Sequence, residues 1–151
     1  VDAEKFGEAA SVFALGGFVY IALIRLLLTR LGLYGVIRAG AAVAGLAFAA
    51  LAFSVSWPVE MAIVFVIGLG FYMIHNALQT QATELAPTKR ASAVAAHAFF
   101  FFLGQAIGPL IYRLGFDTAG VEATFISGGI VMVLTGIATA AGLKARTPAL
   151  T

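Results

Sequence analysis

Polar side chains recur at helical spacing within a strongly apolar part of the chain. Four of them follow at intervals of three and four residues, which places them on one face of a helix: Tyr72, His75, Asn76 and Gln79. His97 and Gln105 are eight residues apart and also share a helical side. An imidazole exchanges protons near neutral pH, and the amides and the phenol form hydrogen bonds. The pattern predicts a polar surface able to hold a ligand or pass protons.

The two histidines are expected at one depth on adjacent helices, since each lies about seven residues from the turn between them, or roughly 10 Å along a helix. Three interpretations stay open for the polar residues. They line a cavity and a histidine carries protons, or they form hydrogen bonds that fix helix packing, or His75 and His97 bind zinc. We favour the cavity for the stripe. Two imidazoles without a nearby carboxylate are a poor zinc site, so no metal is predicted.

The composition shows which solvent surrounds these side chains. Of 151 residues, 62% are apolar and 11% are charged, against about 25% charged in an ordinary globular domain. Too few polar residues are present to cover the outer faces of helices in water. The nine Lys and Arg residues form no stripe, so nucleic acid is not predicted as a partner. Cysteine is absent, and no motif indicates a cofactor. The expected partner is the lipid bilayer.

Charge-free runs predict an all-α, polytopic transmembrane bundle. A helix crosses a bilayer with roughly 20 apolar residues, and the continuous apolar runs lack the alternation of a membrane β-barrel. Short connections with turn residues join the runs at 56–58, 86–88 and 115–120. We expect one membrane domain over residues 1–151, with five spans at 9–28, 36–56, 60–82, 90–113 and 121–143. The first residue is Val1, and no signal peptide is readable, so the chain is expected to be a piece of a longer protein.

The distribution of charge predicts the orientation. If five spans alternate, seven of the nine basic residues lie on one side of the membrane, and six of the seven acidic residues lie on the other. Basic residues favour the cytoplasmic side. The C-terminus is therefore expected in the cytoplasm.

Two further groups of residues have expected roles in the helices. Gly104 and Gly108 form a GxxxG pattern that permits close helix packing, and Pro109 removes a helix hydrogen bond and permits a bend. Tyr20 and Arg25 in the first span have two open interpretations. They anchor the helix at the membrane boundary, or they belong to the polar path.

The stretch FYMIHNALQTQATELAPTKRASAVAAHAFFFFLGQAIGPLIYRLG, residues 71–115, resembles the tenth and eleventh helices of bacterial major facilitator superfamily transporters. Its most specific parts are LQTQATELAP, with Arg90, and then GQAIG at 104–108. Those parts look like the subgroup described as arabinose-efflux or drug-efflux permeases. The resemblance implies helices eight to twelve of the C-terminal half, with the N-terminal helices of the same transporter missing. It also implies that the first, third and fourth spans face the substrate path.

The resemblance also implies a gate at the cytoplasmic ends of the helices. In that family a G-x-L-x-D-R-x-G-R motif often follows helix eight, and here Leu27, Arg30 and Gly32 match it. Arg25 replaces its first glycine, Thr29 the aspartate and Leu33 the last arginine. The gate-loop candidates are Arg25, Arg30, Gly32, Lys89 and Arg90.

As a whole, the resemblance implies a secondary transporter of the bacterial cytoplasmic (inner) membrane. It would carry a small molecule, with efflux as the expected direction and the proton as the expected coupling ion. Two other classes stay as alternatives. One is a membrane-embedded enzyme that uses His75 and His97, against which no catalytic motif or carboxylate within a span is found. The other is a small membrane subunit without transport activity. We predict that the chain is not an enzyme.

Overall fold

All regular secondary structure in the described part of the chain is helical. This computed structural model describes residues 2–54 and 56–146, which form helices α1 (Ala3–Ala50), α2 (Trp57–Glu84), α3 (Arg90–Ala119) and α4 (Val121–Arg146). A short 3-10 turn, Leu51–Phe53, follows α1. All four helices are long and apolar enough to cross a membrane. The predicted all-helical fold is confirmed, but the predicted number of five spans is not matched exactly.

The number differs because the first two predicted spans fall in one helical element. Within α1 the backbone leaves the helical conformation at Gly32, where φ is 65° and ψ is 173°. Tyr20 nevertheless packs in the same buried cluster as Val36, 16 residues further along the chain. A straight helix would separate these two residues by about 24 Å. The chain therefore doubles back at Gly32, and α1 consists of a first segment, residues 3–31, and a second segment, residues 33–50.

Helices that follow one another along the chain run in opposite directions. The second segment of α1 runs antiparallel to α2, since Val36 packs with Met73, and Gly40 meets Gly70. It also runs antiparallel to α4, where Gly45 meets Gly129. The first segment runs parallel to α2. The ends of the elements therefore gather at two opposite ends of the bundle, one near Gly32 and one near Trp57.

Close backbone contacts hold the second segment of α1 between α2 and α4. A Cβ built on Gly40 would lie 2.7 Å from Met73 Cβ and 2.9 Å from the carbonyl oxygen of Gly70. A Cβ on Gly45 would lie 2.6 Å from the carbonyl oxygen of Gly129. Only residues without a side chain allow helices to approach this closely, which is the usual way apolar helices associate in lipid. The buried centre of the protein lies along these two crossings.

Helix α3 is attached much less tightly. None of its 30 residues is buried, and it contacts α2 and α4 through side chains rather than through backbone. It continues through Pro109 to Ala119, so the turn predicted at residues 115–120 is shorter than expected. Gly120, with φ of 86°, makes the turn alone because glycine adopts this left-handed conformation without strain.

Candidate functional site

His75 and His97 lie side by side between α2 and α3. Their ring centroids are 5.6 Å apart, with an angle of 41° between the ring planes. The helices run antiparallel, so residues equally far from the 86–88 turn are brought to one level. Both side chains are half-buried.

Phenylalanine rings surround the imidazole of His75. Phe71 stacks on it at a centroid distance of 5.3 Å and an angle of 10°, and Phe101 of α3 lies 4.8 Å away. Phe13 of α1 extends the surface, since its ring lies 5.2 Å from Phe71 and 5.9 Å from Tyr72. We call this set of six rings the aromatic–imidazole cluster: Phe13, Phe71, Tyr72, His75, His97 and Phe101. It joins the first segment of α1 to α2 and α3.

One nitrogen of this cluster has no hydrogen-bond partner. His97 Nε2 is shielded from solvent, and no residue in the described part of the chain donates to it or accepts from it. A buried polar atom left unpaired costs about 1–3 kcal/mol, so such atoms are rare and often mark a place where another molecule binds. The nitrogen is therefore an unused hydrogen-bonding position enclosed by its neighbours, which a ligand can reach only if those neighbours move.

The predicted polar stripe of α2 becomes more exposed toward the end of the helix. Tyr72 and Asn76 are half-buried, and the Asn76 Nδ2 group donates a 3.0 Å hydrogen bond to the carbonyl oxygen of Tyr72. Gln79 is exposed. The structure thus brings Tyr72 and His75 into the cluster, with Asn76 one turn further along and Gln79 beyond it.

Tyr20 lies behind the cluster rather than on its exposed face. It is only 3% exposed and packs with Val36 and Met73, and Tyr72 lies against the same group. The ring of Tyr72 also covers Gly17, since a Cβ added to Gly17 would lie 2.7 Å from that ring. Tyr20 and Gly17 therefore support the position of Tyr72.

The arrangement of helices agrees with the comparison of the sequence with known families. The sequence model of the Major Facilitator Superfamily matches residues 1–150. The chain belongs to the Major Facilitator Superfamily. Searches of curated proteins and of solved structures found no significant match.

Membership of the Major Facilitator Superfamily establishes the general class of the chain. It is an integral membrane protein of a secondary transporter family, with the lipid bilayer around its apolar helices and a small molecule as the type of substrate. A transporter family also fits the prediction that the chain is not an enzyme. In such folds the transported molecule binds among helices near the middle of the membrane.

Apart from His97, the α3 residues that were predicted to pack against a neighbouring helix or to line the polar path lie on an open surface. Gly104, Gln105 and Pro109 are exposed, and Gly108 is half-buried. A Cβ added to Gly104 or Gly108 would meet no atom within 4 Å. In α3 the close glycine contact is made instead by Gly115, where an added Cβ would lie 2.8 Å from Thr124 of α4, and the other close contacts come from glycines of α1, α2 and α4.

The gate-loop candidates gather at the Gly32 end of the bundle. Arg25 and Arg30 precede the reversal in α1, and Lys89 and Arg90 lie between α2 and α3, with all four side chains exposed. Among residues 2–54 and 56–146 the single salt bridge is Arg113 Nε to Asp117 at 4.0 Å, at the opposite end. Within the described chain, none of the four cations therefore has a carboxylate partner.

Two features of the site were not predicted from the sequence. Phe101 contacts His75, although the run Phe99–Phe102 surrounds the helix and its spacing does not single out one ring. Gln81 is 6% exposed and donates a 2.7 Å hydrogen bond from Nε2 to Glu84 Oε2. The spacing of Gln81 and Glu84, three residues apart on a helix, was a usable signal for that pair.

Proposed function

We propose that this chain forms helices eight to twelve of a proton-coupled secondary transporter that exports a small organic molecule. The observation that carries the proposal is the pair of histidines 5.6 Å apart within an aromatic surface, with His97 Nε2 unpaired. An imidazole pair supplies sites for protons, and the surrounding rings supply a surface for an apolar cargo. The two functions share one surface, so cargo and proton affect each other directly.

The proposal includes five crossings. The reversal at Gly32 supports this number, because each segment of α1 packs along α2 and because the ends of α1 meet the start of α2. Trp57 Nε1, for example, donates a 2.9 Å hydrogen bond to Glu8 Oε2. The proposed spans are 9–28, 36–56, 60–82, 90–113 and 121–143.

The proposed orientation puts the Gly32 end and the C-terminus in the cytoplasm. The exposed cations at that end, Arg25, Arg30, Lys89 and Arg90, support this orientation by the positive-inside rule. We propose that they contribute to the cytoplasmic gate, and that the membrane is the bacterial inner membrane. The resemblance of residues 71–115 to arabinose-efflux and drug-efflux permeases supports export as the direction.

A complete transporter of this fold has twelve helices in two halves, with the substrate between them. We therefore propose that N-terminal helices cover the aromatic–imidazole cluster and the open face of α3, including Gly104, Gln105, Gly108 and Pro109. Alternating access would follow from rocking of the two halves.

The test uses the full-length protein in vesicles that contain the pH indicator pyranine. With the lumen more acidic than the medium, ethidium or arabinose is added outside as a probe of the two cargo types in the resemblance. Exchange of protons for cargo makes the lumen more alkaline. We expect this response for at least one probe, and its loss when His75 and His97 are both replaced by Asn. Phe102→Leu, at a neighbouring ring that is 63% exposed and has no ring contact with either histidine, is the control. Unchanged exchange in the double variant would remove the histidines from the mechanism.

A further inference from the structure

A cavity with its own polar groups lies at the Trp57 end of the bundle and shares no lining residue with the aromatic–imidazole cluster. Its volume is 540 Å³, and its walls come from the start of α1, the end of α1 with the 3-10 turn, the start of α2 and the start of α4. We call it the Trp57 groove. The helices end here, so the groove lies where the apolar interior of the membrane gives way to headgroups.

The lining of the groove carries one cation, Lys5, and one carboxylate, Glu60, and a second carboxylate, Glu8, lies outside the lining against the ring of Trp57. Trp57 Nε1 donates a hydrogen bond of 2.9 Å to Glu8, and Ser54 Oγ donates one of 3.2 Å to Glu60 Oε1. The ammonium of Lys5 lies 5.5 Å from the centre of the Trp57 ring. Within the described chain Lys5 forms no salt bridge with either carboxylate. The two charged lining residues cancel, Glu8 beside them gives the rim a net charge of −1, and the charged groups still have free hydrogen-bonding capacity.

The body of the groove is apolar. Phe6, Leu51 and Val64 line it from three sides, and Val121 and Phe125 of α4 close the fourth. A purely polar solute would leave these walls without a partner. An acyl chain would fill them, and such chains surround a membrane protein at very high concentration.

We propose that the Trp57 groove binds a phospholipid with an ethanolamine headgroup. The lipid ammonium donates to the Glu60 carboxylate, the phosphate accepts from Lys5, and the first part of an acyl chain lies between Phe6 and Phe125. The charges of the rim and of each lipid headgroup predict which lipid binds. A net negative rim opposes an anionic glycerol headgroup, and a choline group has no N–H to donate to a carboxylate. An ethanolamine headgroup is the common one that satisfies the carboxylate and the ammonium together.

Trp57 reports occupancy directly because it is the one tryptophan of the 151 residues. The full-length protein is reconstituted in phosphatidylcholine vesicles, and Trp57→Phe identifies any signal from other parts. Phosphatidylethanolamine, phosphatidylglycerol or phosphatidylcholine with brominated acyl chains is then added at equal mole fractions, since bromine quenches tryptophan fluorescence on contact. We expect half-maximal quenching at about threefold less of the ethanolamine lipid, the size that an exposed ion pair supplies.

Two variants separate the headgroup contacts from folding. Glu60→Gln keeps an acceptor for Ser54 but removes the charge, and Lys5→Met changes an exposed first turn. Each should bring the ethanolamine and choline curves together, while Glu122→Gln, a nearby carboxylate outside the groove lining, should leave the preference intact. Equal quenching by all three lipids in the unchanged protein, stronger quenching by the glycerol lipid, or a preference that survives both variants would overturn the proposal. None of these outcomes depends on the transported cargo.

Discussion

The ring of Phe101 lies 4.8 Å from the imidazole of His75, and these two side chains connect α3 to α2. Phe101 is half-buried, whereas its neighbour Phe102 is 63% exposed and has no ring contact with His75. Adjacent phenylalanines therefore occupy different environments, which gives a matched pair of substitutions.

Phe101→Leu is expected to weaken cargo binding, and Phe102→Leu is not. A favourable aromatic contact contributes about 0.5–1.5 kcal/mol beyond its buried area. Loss of that contact would raise the KM for ethidium exchange roughly threefold to tenfold. The measurement is the concentration dependence of proton exchange in vesicles. Equal KM values for the two variants would show that the cluster does not contact cargo.

His97→Phe is expected to leave the melting temperature of the detergent-solubilised protein unchanged or higher. The reason is that Nε2 has no partner in the described chain, so its replacement by carbon removes a polar atom that was not stabilised. Proton-driven exchange in vesicles should be lost in the same variant.

The control for His97→Phe is Gln81→Leu. This substitution also replaces a buried polar group, but it breaks the hydrogen bond to Glu84. It should lower stability by about 1 kcal/mol. A melting temperature that falls more for His97→Phe than for Gln81→Leu would mean that Nε2 is satisfied in the folded protein.

Gly32→Ala is expected to destabilise the protein by about 1–3 kcal/mol, the cost of holding a residue with a side chain in a backbone region that essentially only glycine adopts. Nothing lies within 4 Å of the added Cβ, so conformational strain is the whole effect. Gly142→Ala is the control, because that glycine has equally open surroundings but lies in regular helix. Thermal unfolding in detergent compares the two. A neutral Gly32→Ala would argue against the reversal at this residue.

Gly40→Ala is expected to be among the most destabilising alanine substitutions, since the new Cβ would lie 2.7 Å from Met73 Cβ and 2.9 Å from a carbonyl oxygen. Overpacking of this kind costs about 1–3 kcal/mol. Gly104→Ala has no such neighbour in this chain and should be neutral when residues 1–151 are produced alone. If Gly104→Ala destabilises only the full-length protein, the N-terminal helices contact that face.

The helices could be predicted from the sequence because lipid demands long apolar runs, and the runs at 60–82 and 90–113 fall within α2 and α3. The reversal in α1 was harder to place, because the positive φ of Gly32 depends on how both segments pack on α2. The predicted span at 90–113 stops short of the end of α3 at Ala119 for a related reason. One glycine, Gly120, completes the turn, although two glycines and an aspartate in the stretch suggested a longer loop.

The candidate site was predictable where periodicity alone positions a side chain. His75 and His97 lie together because equal distances from a turn on antiparallel helices bring residues to one level. Phe101 was not predictable, since four consecutive rings point in all directions and only the crossing of α3 on α2 selects one of them. The burial of Tyr20 likewise depends on Val36, which the reversal at Gly32 brings back beside it.

The absence of buried residues in α3 has a mechanical consequence. The glycine crossings join α1, α2 and α4 into a block whose relative motion would force backbones apart. Moving α3 against that block would separate His97 and Phe101 from His75, and would expose Thr124, which is 6% exposed and lies against Gly115. The two imidazoles of the candidate site thus lie on opposite sides of the contact between α2 and α3, and the distance between their rings measures how far that contact has opened.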